Sequence, residues 1–385
     1  MTVSPAELVL RQGEGTRTLD ARRGRTAARV VGEPETIADI LAGQLAGVEA
    51  FLEGRVTITG SLSLALELET LFGARHPARW TRAERVRAGS VDTFFLEAGE
   101  GEPVILVHGL GGTNASFLPT LWALSAHHRV LAPDLPGHGE TAKPIRTYDP
   151  AFYARWLEYF MKATGVERAH VVGNSLGGRI ALETAITRPQ RVISLALLCP
   201  APVVHRLRRL VPFVRLLRPE LSFVPLPVAR RQALFAVRGL FARPDRVPSE
   251  WLEAAAGEFV RVFRQPTARI AFFSSLREVY LEEPLGADGY WERLKRIKAP
   301  TLLLWGDRDP LVPTRHASAV RKAMPHATSI MLRGCGHVPQ YEMASEVNRL
   351  LLAFIADPDA VRLSPVMNRL PQTHSSRAAG AARTA

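Results

Sequence analysis

Short, nearly continuous apolar runs recur along the chain: "PVILVHG" at 103–109, "HRVLAPDLPG" at 128–137, "HVVGNS" at 170–175, "ISLALLCP" at 193–200, "TLLLWGD" at 301–307 and "ATSIMLR" at 327–333. A strand covered on both faces has no polar side to alternate with. Such runs therefore predict the inner strands of a mostly parallel sheet. Between them, "AFYARWLEYFMKATG" and "LGGRIALETAITRP" read as helices. Strand and helix in alternation predict an α/β fold with right-handed helical crossovers, a mostly parallel sheet flanked by helices.

The same pattern divides the chain into regions. Residues 1–80 form a small α+β unit of their own, and 81–357 the main unit. Within the latter, 201–298 is arginine-rich, punctuated by prolines and mostly helical, which predicts an inserted helical cap. The tail 358–385 is rich in Ala, Arg, Ser and Pro, a composition that predicts disorder. Within 28–73 the order expected is an extended piece, an amphipathic helix, a turn, the short strand "RVTITG" and a second helix. No repeat array is visible.

Composition changes this picture little. Of 385 residues, 46% are hydrophobic and 22% charged, so the chain can bury a core without disulfide or metal staples. Cys199 and Cys335 lie far apart and form no C-x-x-C pair, which speaks against a disulfide framework or zinc site and fits a reducing compartment. The N-terminal "MTVSPAELVLRQGEG" lacks a basic region followed by an apolar one, so no signal peptide is read and a cytoplasmic location is expected. The longest apolar stretch, "ISLALLCPAPVV", is too short to span a bilayer. The formal net charge of +12 admits nucleic acid, anionic lipid or an acidic ligand as partner, or reflects a compositional habit. No nucleic-acid motif accompanies it, and no nucleic-acid partner is expected.

Ligands of such a sheet bind beyond the carboxyl ends of its strands. There the sequence offers His108-Gly109, Asp134, Ser175, Asp309 and His337. Gly173-Asn174-Ser175-Leu176-Gly177 is a G-x-S-x-G between a strand and a helix. A sharp turn at that place crowds the backbone, which glycine relieves, and lifts the hydroxyl onto the positive end of the following helix. A serine hydroxyl needs a base to take its proton, and the base needs an acid to fix its tautomer. "WGDRDPLVP" and "GCGHVPQYE" supply both, each following a strand. His337 is the expected base and Asp309 the expected acid, with Asp307 its competitor two residues away. The expected oxyanion donors are the amides of Leu176, directly after the nucleophile, and of Leu110 in the "HGLGG" loop. His108, Asp134 and His138 are read as structural, Cys335 as a small buried residue and Cys199 as strand core.

With "HGLGG", "DLPGHGE", "GNSLGG", "WGDRDPLVP" and "GCGHVPQ" in this order, the segment from about 88 to 357 resembles the α/β-hydrolase fold family. The resemblance implies a Ser175–His337–Asp309 triad, an acyl-enzyme hydrolysed by water, and a lid between the strands at 193–200 and 301–307. Haloalkane dehalogenases and epoxide hydrolases resemble the chain in layout but carry aspartate at the nucleophile position, so serine at 175 discounts both. Residues 28–73 resemble the second half of a sterol-carrier-protein type lipid-binding domain. They lack most of its first half, and Ser61 stands where that family often has aspartate.

The stretch "HRLRRLVPFVRLLRPELSFVPLPVARRQALFAVRGLFARP" holds nine arginines and one acid, Glu220, interleaved with Leu, Val and Phe. An apolar face with a basic rim suits a hydrophobic or lipid-like substrate and contact with an anionic membrane. The expected function is a serine hydrolase acting on an ester, thioester or related carbonyl compound, with no cofactor and no metal. Carbon–carbon bond hydrolysis and acyl transfer stay open as alternatives, as does a lipid-binding protein with a vestigial site. The N-terminal unit could dock on the hydrolase, contact the substrate or make a homo-oligomer.

Overall fold

The computed structural model describes residues 6–13, 16–18, 25–60, 81–201, 211–216, 218–223 and 228–359. The N-terminal unit is an antiparallel sheet of β1 (Ala6–Gly13), β2 (Thr16–Thr18), β3 (Arg25–Gly32) and β4 (Val56–Gly60), in the order β2-β1-β3-β4. Helices α1 (Pro34–Leu41) and α2 (Gly47–Leu52) join β3 to β4. The second helix expected after "RVTITG" falls outside the described residues, as does most of the tail. The unit is docked on the main body. Ile37, Val48, Phe51 and Ile58 belong to one continuous apolar core with Leu118, Leu121, Trp251 and Leu252. Apolar burial of this kind is worth about 1.5–3 kcal/mol for each large side chain.

The apolar runs become the inner strands of a second, eight-stranded sheet. Its members are β5 (Arg82–Ala88), β6 (Val91–Ala98), β7 (Pro103–Val107), β8 (Arg129–Pro133), β9 (Ala169–Asn174), β10 (Val192–Leu198), β11 (Thr301–Gly306) and β12 (Thr328–Leu332). They lie in the order β12-β11-β10-β9-β7-β8-β6-β5. The six strands foreseen are parallel, and every residue of β9 and β11 is buried. The hairpin β5–β6, whose strand β6 pairs antiparallel with both β5 and β8, was not foreseen. β5 reads "RAERVRA", with five of its seven residues out of the core. It lacks the apolar run that marks an inner strand, because an edge strand is protected by charge.

Helices α3 (Leu118–Leu124), α4 (Pro150–Ala163) and α5 (Leu176–Thr187) lie between strands β7 and β10 in the chain. α4 starts where it does because the Asp149 carboxylate accepts from Phe152 N at 2.6 Å and Pro150 fits the first turn. Between β10 and β11 come α6 (Val211–Leu216), α7 (Arg230–Arg238), α8 (Ser249–Phe263), α9 (Pro266–Leu281) and α10 (Tyr290–Leu294). Then α11 (Arg315–Ala323), α12 (Pro339–Glu342) and α13 (Ala344–Ala356) complete the chain described.

Some arginines of the insertion are structural. Arg269 of α9, 2% exposed, donates to the carbonyls of Ser222, Phe223, Phe263 and Arg264. Arg277, two turns along α9, donates to those of Val214 and Arg215. The two guanidiniums hold the outer layer of the insertion to α9 by its carbonyl ends, groups that a short helix leaves unpaired. At the root of the insertion, Arg179 of α5 is wholly buried and ion-paired with Glu282 and Glu183. No helix among the described residues is long and apolar enough to cross a membrane.

Candidate active site

Ser175 sits at the turn between β9 and α5 with φ 54° and ψ −116°. That is a left-handed backbone rarely tolerated by a residue with a Cβ. Close packing of the turn over-determines it. A Cβ on Gly177 would come 1.9 Å from the Val107 carbonyl, and one on Gly173 would come 2.5 Å from Gly177. The glycines are therefore required by backbone approach. Ser175 N donates to Leu198 O at 3.0 Å, and Ser175 O accepts from Arg179 N and Ala201 N. The Ser175 side chain makes no hydrogen bond among the described residues.

The loops after β11 and β12 bring acid and base together. His337 Nδ1 lies 2.7 Å from Asp309 Oδ2, and both residues are buried. Asp309 Oδ1 accepts from Leu311 N and Val312 N, each at 2.8 Å. Burial acts to raise the Asp309 pKa. The hydrogen bond and charge of His337 and the two amides outweigh it and hold the carboxyl below its ordinary value. An ionised Asp309 accepts, so Nδ1 carries the proton and Nε2 keeps a lone pair. Asp307, the competitor, is exposed and turned elsewhere: its Oδ1 accepts from Gly334 N at 2.7 Å and so braces the histidine loop.

Leu176 is the first residue of α5, where a helix leaves its amides without intrahelical partners. Leu110 lies in the loop after β7. Neither amide is engaged by another group among the described residues. A Cβ on Gly109, next to Leu110, would lie 3.1 Å from Ser175 Cβ, so this loop closes directly on the serine.

His108, Asp134 and His138 fix the surrounding loops. His108 Nδ1 donates to Gly109 O at 2.8 Å and Nε2 accepts from Leu135 N at 2.9 Å. Burial, helped by nearby His138, lowers its pKa to about 3, so it stays neutral. The two oxygens of Asp134 accept from Asn114 N and Glu140 N, each at 2.8 Å. Burial pushes its pKa up to about 7 against those two amides.

Three further residues shape the site. Asn174 Nδ2 donates to Leu198 O at 3.0 Å and to His337 O at 3.1 Å, joining the serine strand to the histidine loop. Its place before the serine was the only sign of this in the sequence. Buried Glu342 accepts from Gly336 N and Arg243 N, both at 2.6 Å, and Leu240 O accepts from His337 N at 2.7 Å. These bonds tie the insertion to the histidine loop, and nothing in the local sequence marks them. Cys199 is not in a strand: it follows β10 with φ 45°, its sulfur 3.4 Å from Gly306 N. Cys199, Asp309 and His337 each offer an atom within 4.8 Å of the others. Asp309 Oδ2 and His337 Nδ1 are bonded to each other, and Asp309 Oδ1 already accepts two amides. This donor set does not suit a resident metal.

Sheet order, insertion and a strained serine after a buried strand define a class, the α/β-hydrolases. The chain belongs to the alpha/beta hydrolase fold family, whose model matches residues 102–344. Residues 2–73 match the SCP-2 sterol transfer family. The chain is 31% identical over 280 residues to a 2-hydroxy-6-oxo-6-phenylhexa-2,4-dienoate hydrolase of Burkholderia cepacia, covering 68% of this chain and 90% of that one. It is 34% identical over 275 residues to a dihydrolipoyllysine-residue acetyltransferase component of an acetoin cleaving system of Pseudomonas putida, covering 69% and 67% respectively. A crystal structure of a membrane phospholipase A, described as a bacterial virulence factor, has a TM-score of 0.60 at 29% identity, over 74% of this chain and 87% of that one.

Proposed function

We propose that the protein is a serine hydrolase that cleaves an ester, thioester or related carbonyl compound with a hydrophobic moiety. The observation that carries this reading is the buried 2.7 Å His337–Asp309 pair at the strand ends where Ser175 stands at φ 54°. His337 Nε2 takes the Ser175 hydroxyl proton as Oγ attacks the carbonyl carbon. The oxyanion is received by the amides of Leu110 and Leu176, a device whose single donors are worth about 10²–10³ in rate. His337 then protonates the leaving group, and a water activated by the same nitrogen releases the acyl-enzyme. Turnover of p-nitrophenyl esters across a range of acyl chain lengths tests this, with medium or longer chains preferred over acetate.

The Burkholderia cepacia relative favours a second reading, cleavage of a carbon–carbon bond in a vinylogous diketone. Product analysis on a ring-fission diketone separates the two. Ester turnover with no diketone cleavage supports the first reading, and diketone cleavage alone supports the second. Inertness on both substrate classes would leave neither standing.

The outer face of the insertion supports a contact with anionic membrane. Phe235 of α7 is 82% exposed, and Arg231 and Arg238 on the same helix are also exposed. Leu216, 77% exposed, lies between Arg215 and Arg218 in the chain, both exposed. Sedimentation with vesicles containing phosphatidylglycerol is expected to show binding that weakens steeply with salt, since exposed charges are screened beyond ~10 Å at 0.1 M. Absent or salt-independent binding removes the contact.

A further inference from the structure

The main chain of His337 is held from two sides. Its carbonyl accepts from Asn174 Nδ2 at 3.1 Å, a bond that comes from the sheet. Its amide donates to Leu240 O at 2.7 Å, and Leu240 belongs to the insertion, just past the end of α7. The segment 240–242 lies directly on the histidine loop. A Cβ on Gly336 would come 2.4 Å from Leu240 O, 2.7 Å from Ala242 N and 2.9 Å from Phe241 Cα, all of them backbone atoms of the insertion. The φ of Gly336 is not positive, so glycine stands there for closeness and not for a left-handed conformation.

One buried carboxylate closes this joint. Glu342, 7% exposed, ends α12. Its Oε2 accepts from Gly336 N and its Oε1 from Arg243 N, each at 2.6 Å. Gly336 precedes His337, and Arg243 follows the segment that touches it. A carboxylate out of water is stable only where its oxygens are met, and here main-chain amides of two distant segments meet both. The position of one side chain therefore sets the distance between insertion and histidine loop. The rings beside it lock the same contact: Tyr341 lies against Trp251 of α8 with centroids 3.8 Å apart, and Phe241 meets Trp251 edge-on at 5.8 Å.

We propose that Glu342 is a positioning residue: by clamping the main chain of the insertion onto Gly336 it sets His337 at Ser175, so the base is in working position only while the insertion is seated. The inference rests on the serine hydrolase reading, in that His337 is the base. The insertion then arms the site as well as covering it. Glutamine at 342 keeps the size of the side chain but offers one accepting oxygen and one donating NH₂ group, which would face an N–H. One half of the clamp opens.

Glu342→Gln is expected to lower kcat on a p-nitrophenyl ester by about 10–100-fold, since a misplacement of about 1 Å costs on the order of 10²-fold. KM should stay within about twofold, because the clamp touches the base and not the substrate. Gly336→Ala drives a Cβ into the insertion and opens the same joint from the other side, so it should act alike, and the double variant should lose no more than the worse single one. The spectroscopic signature is the strongly deshielded proton NMR signal of His337 Nδ1–H in its 2.7 Å bond to Asp309. It should broaden or vanish in either variant while a thermal melt shows the fold retained. If one variant does not fold, the other carries the test. A kcat within about threefold of the parent, a loss that lies in KM with kcat held, additive losses in the double variant, or an unchanged Nδ1–H signal would each overturn the proposal. If the parent itself turns over neither ester nor diketone, the hydrolase reading falls, and the Nδ1–H signal judges the clamp by itself.

Discussion

Replacing Ser175 with alanine is expected to lower kcat on a p-nitrophenyl ester by about 10⁶-fold, the scale seen when a nucleophile is removed from a triad. The variant should fold. The Ser175 side chain makes no hydrogen bond among the described residues, and alanine accepts the same backbone with the same strain, which the glycine packing around it imposes. Neither cysteine stands ready to take over. Both cysteines near the site are buried, and burial pushes each thiol well above its ordinary pKa, so neither supplies a thiolate at neutral pH. The measurement is single-turnover ester cleavage at saturating enzyme, with a thermal melt to check folding. Activity within tenfold of the parent would remove Ser175 from the reaction, and with it the acyl-enzyme.

The inner strands were legible because burial on both faces leaves a continuous apolar run. The serine turn was legible because two close backbone approaches demand glycine at fixed spacing around it. Of the two aspartates, Asp309 contacts His337, while Asp307 holds the Gly334 amide. Other features had no local signature. β5 hides among charged residues because it is an edge. Glu342 and Leu240 reach the histidine loop from distant parts of the chain, and a buried carboxylate that accepts backbone amides looks in sequence like any surface glutamate. The insertion's arginines looked uniform as a string of letters. In space they divide into Arg269 and Arg277, which hold carbonyl ends, and exposed ones such as Arg231 and Arg238.

The N-terminal unit shows how docking narrows a compositional reading. A truncated carrier-like piece could have been a free lipid binder. Instead its Val48, Phe51 and Ile58 are shared with the hydrolase core at Leu121 and Leu252. Among the described residues, these apolar side chains of the unit cover the main body. Its α2 packs on α3, and β4 packs on α8 of the insertion. The unit therefore braces the insertion from outside.

Asp309→Asn is expected to lower kcat by about 10⁴-fold, while Asp307→Asn keeps it within about tenfold. The reason is the tautomer. Ionised Asp309 only accepts, which places the imidazole proton on Nδ1 and leaves Nε2 free to take the serine proton. An asparagine amide can donate to Nδ1, which moves the proton to Nε2 and blocks the base. At Asp307 the asparagine oxygen still accepts from Gly334 N, so the histidine loop keeps its brace. The two variants also differ in how stability responds to pH. The Asp309 pKa is held below its ordinary value of 3.8 in the folded protein, so its ionised form stabilises the fold above that value. As pH falls from the ordinary value through the lowered one, the folded protein takes up its proton later than the unfolded chain, and this stabilisation is lost. Asp309→Asn removes it at every pH, so the gap in denaturant midpoint between parent and variant should be widest near pH 7 and close under acid. A gap that stays constant between pH 7 and pH 3 would mean that Asp309 acts by shape alone. Equal losses of kcat in the two variants would mean that the loop, and not the charge on one carboxylate, sets the histidine.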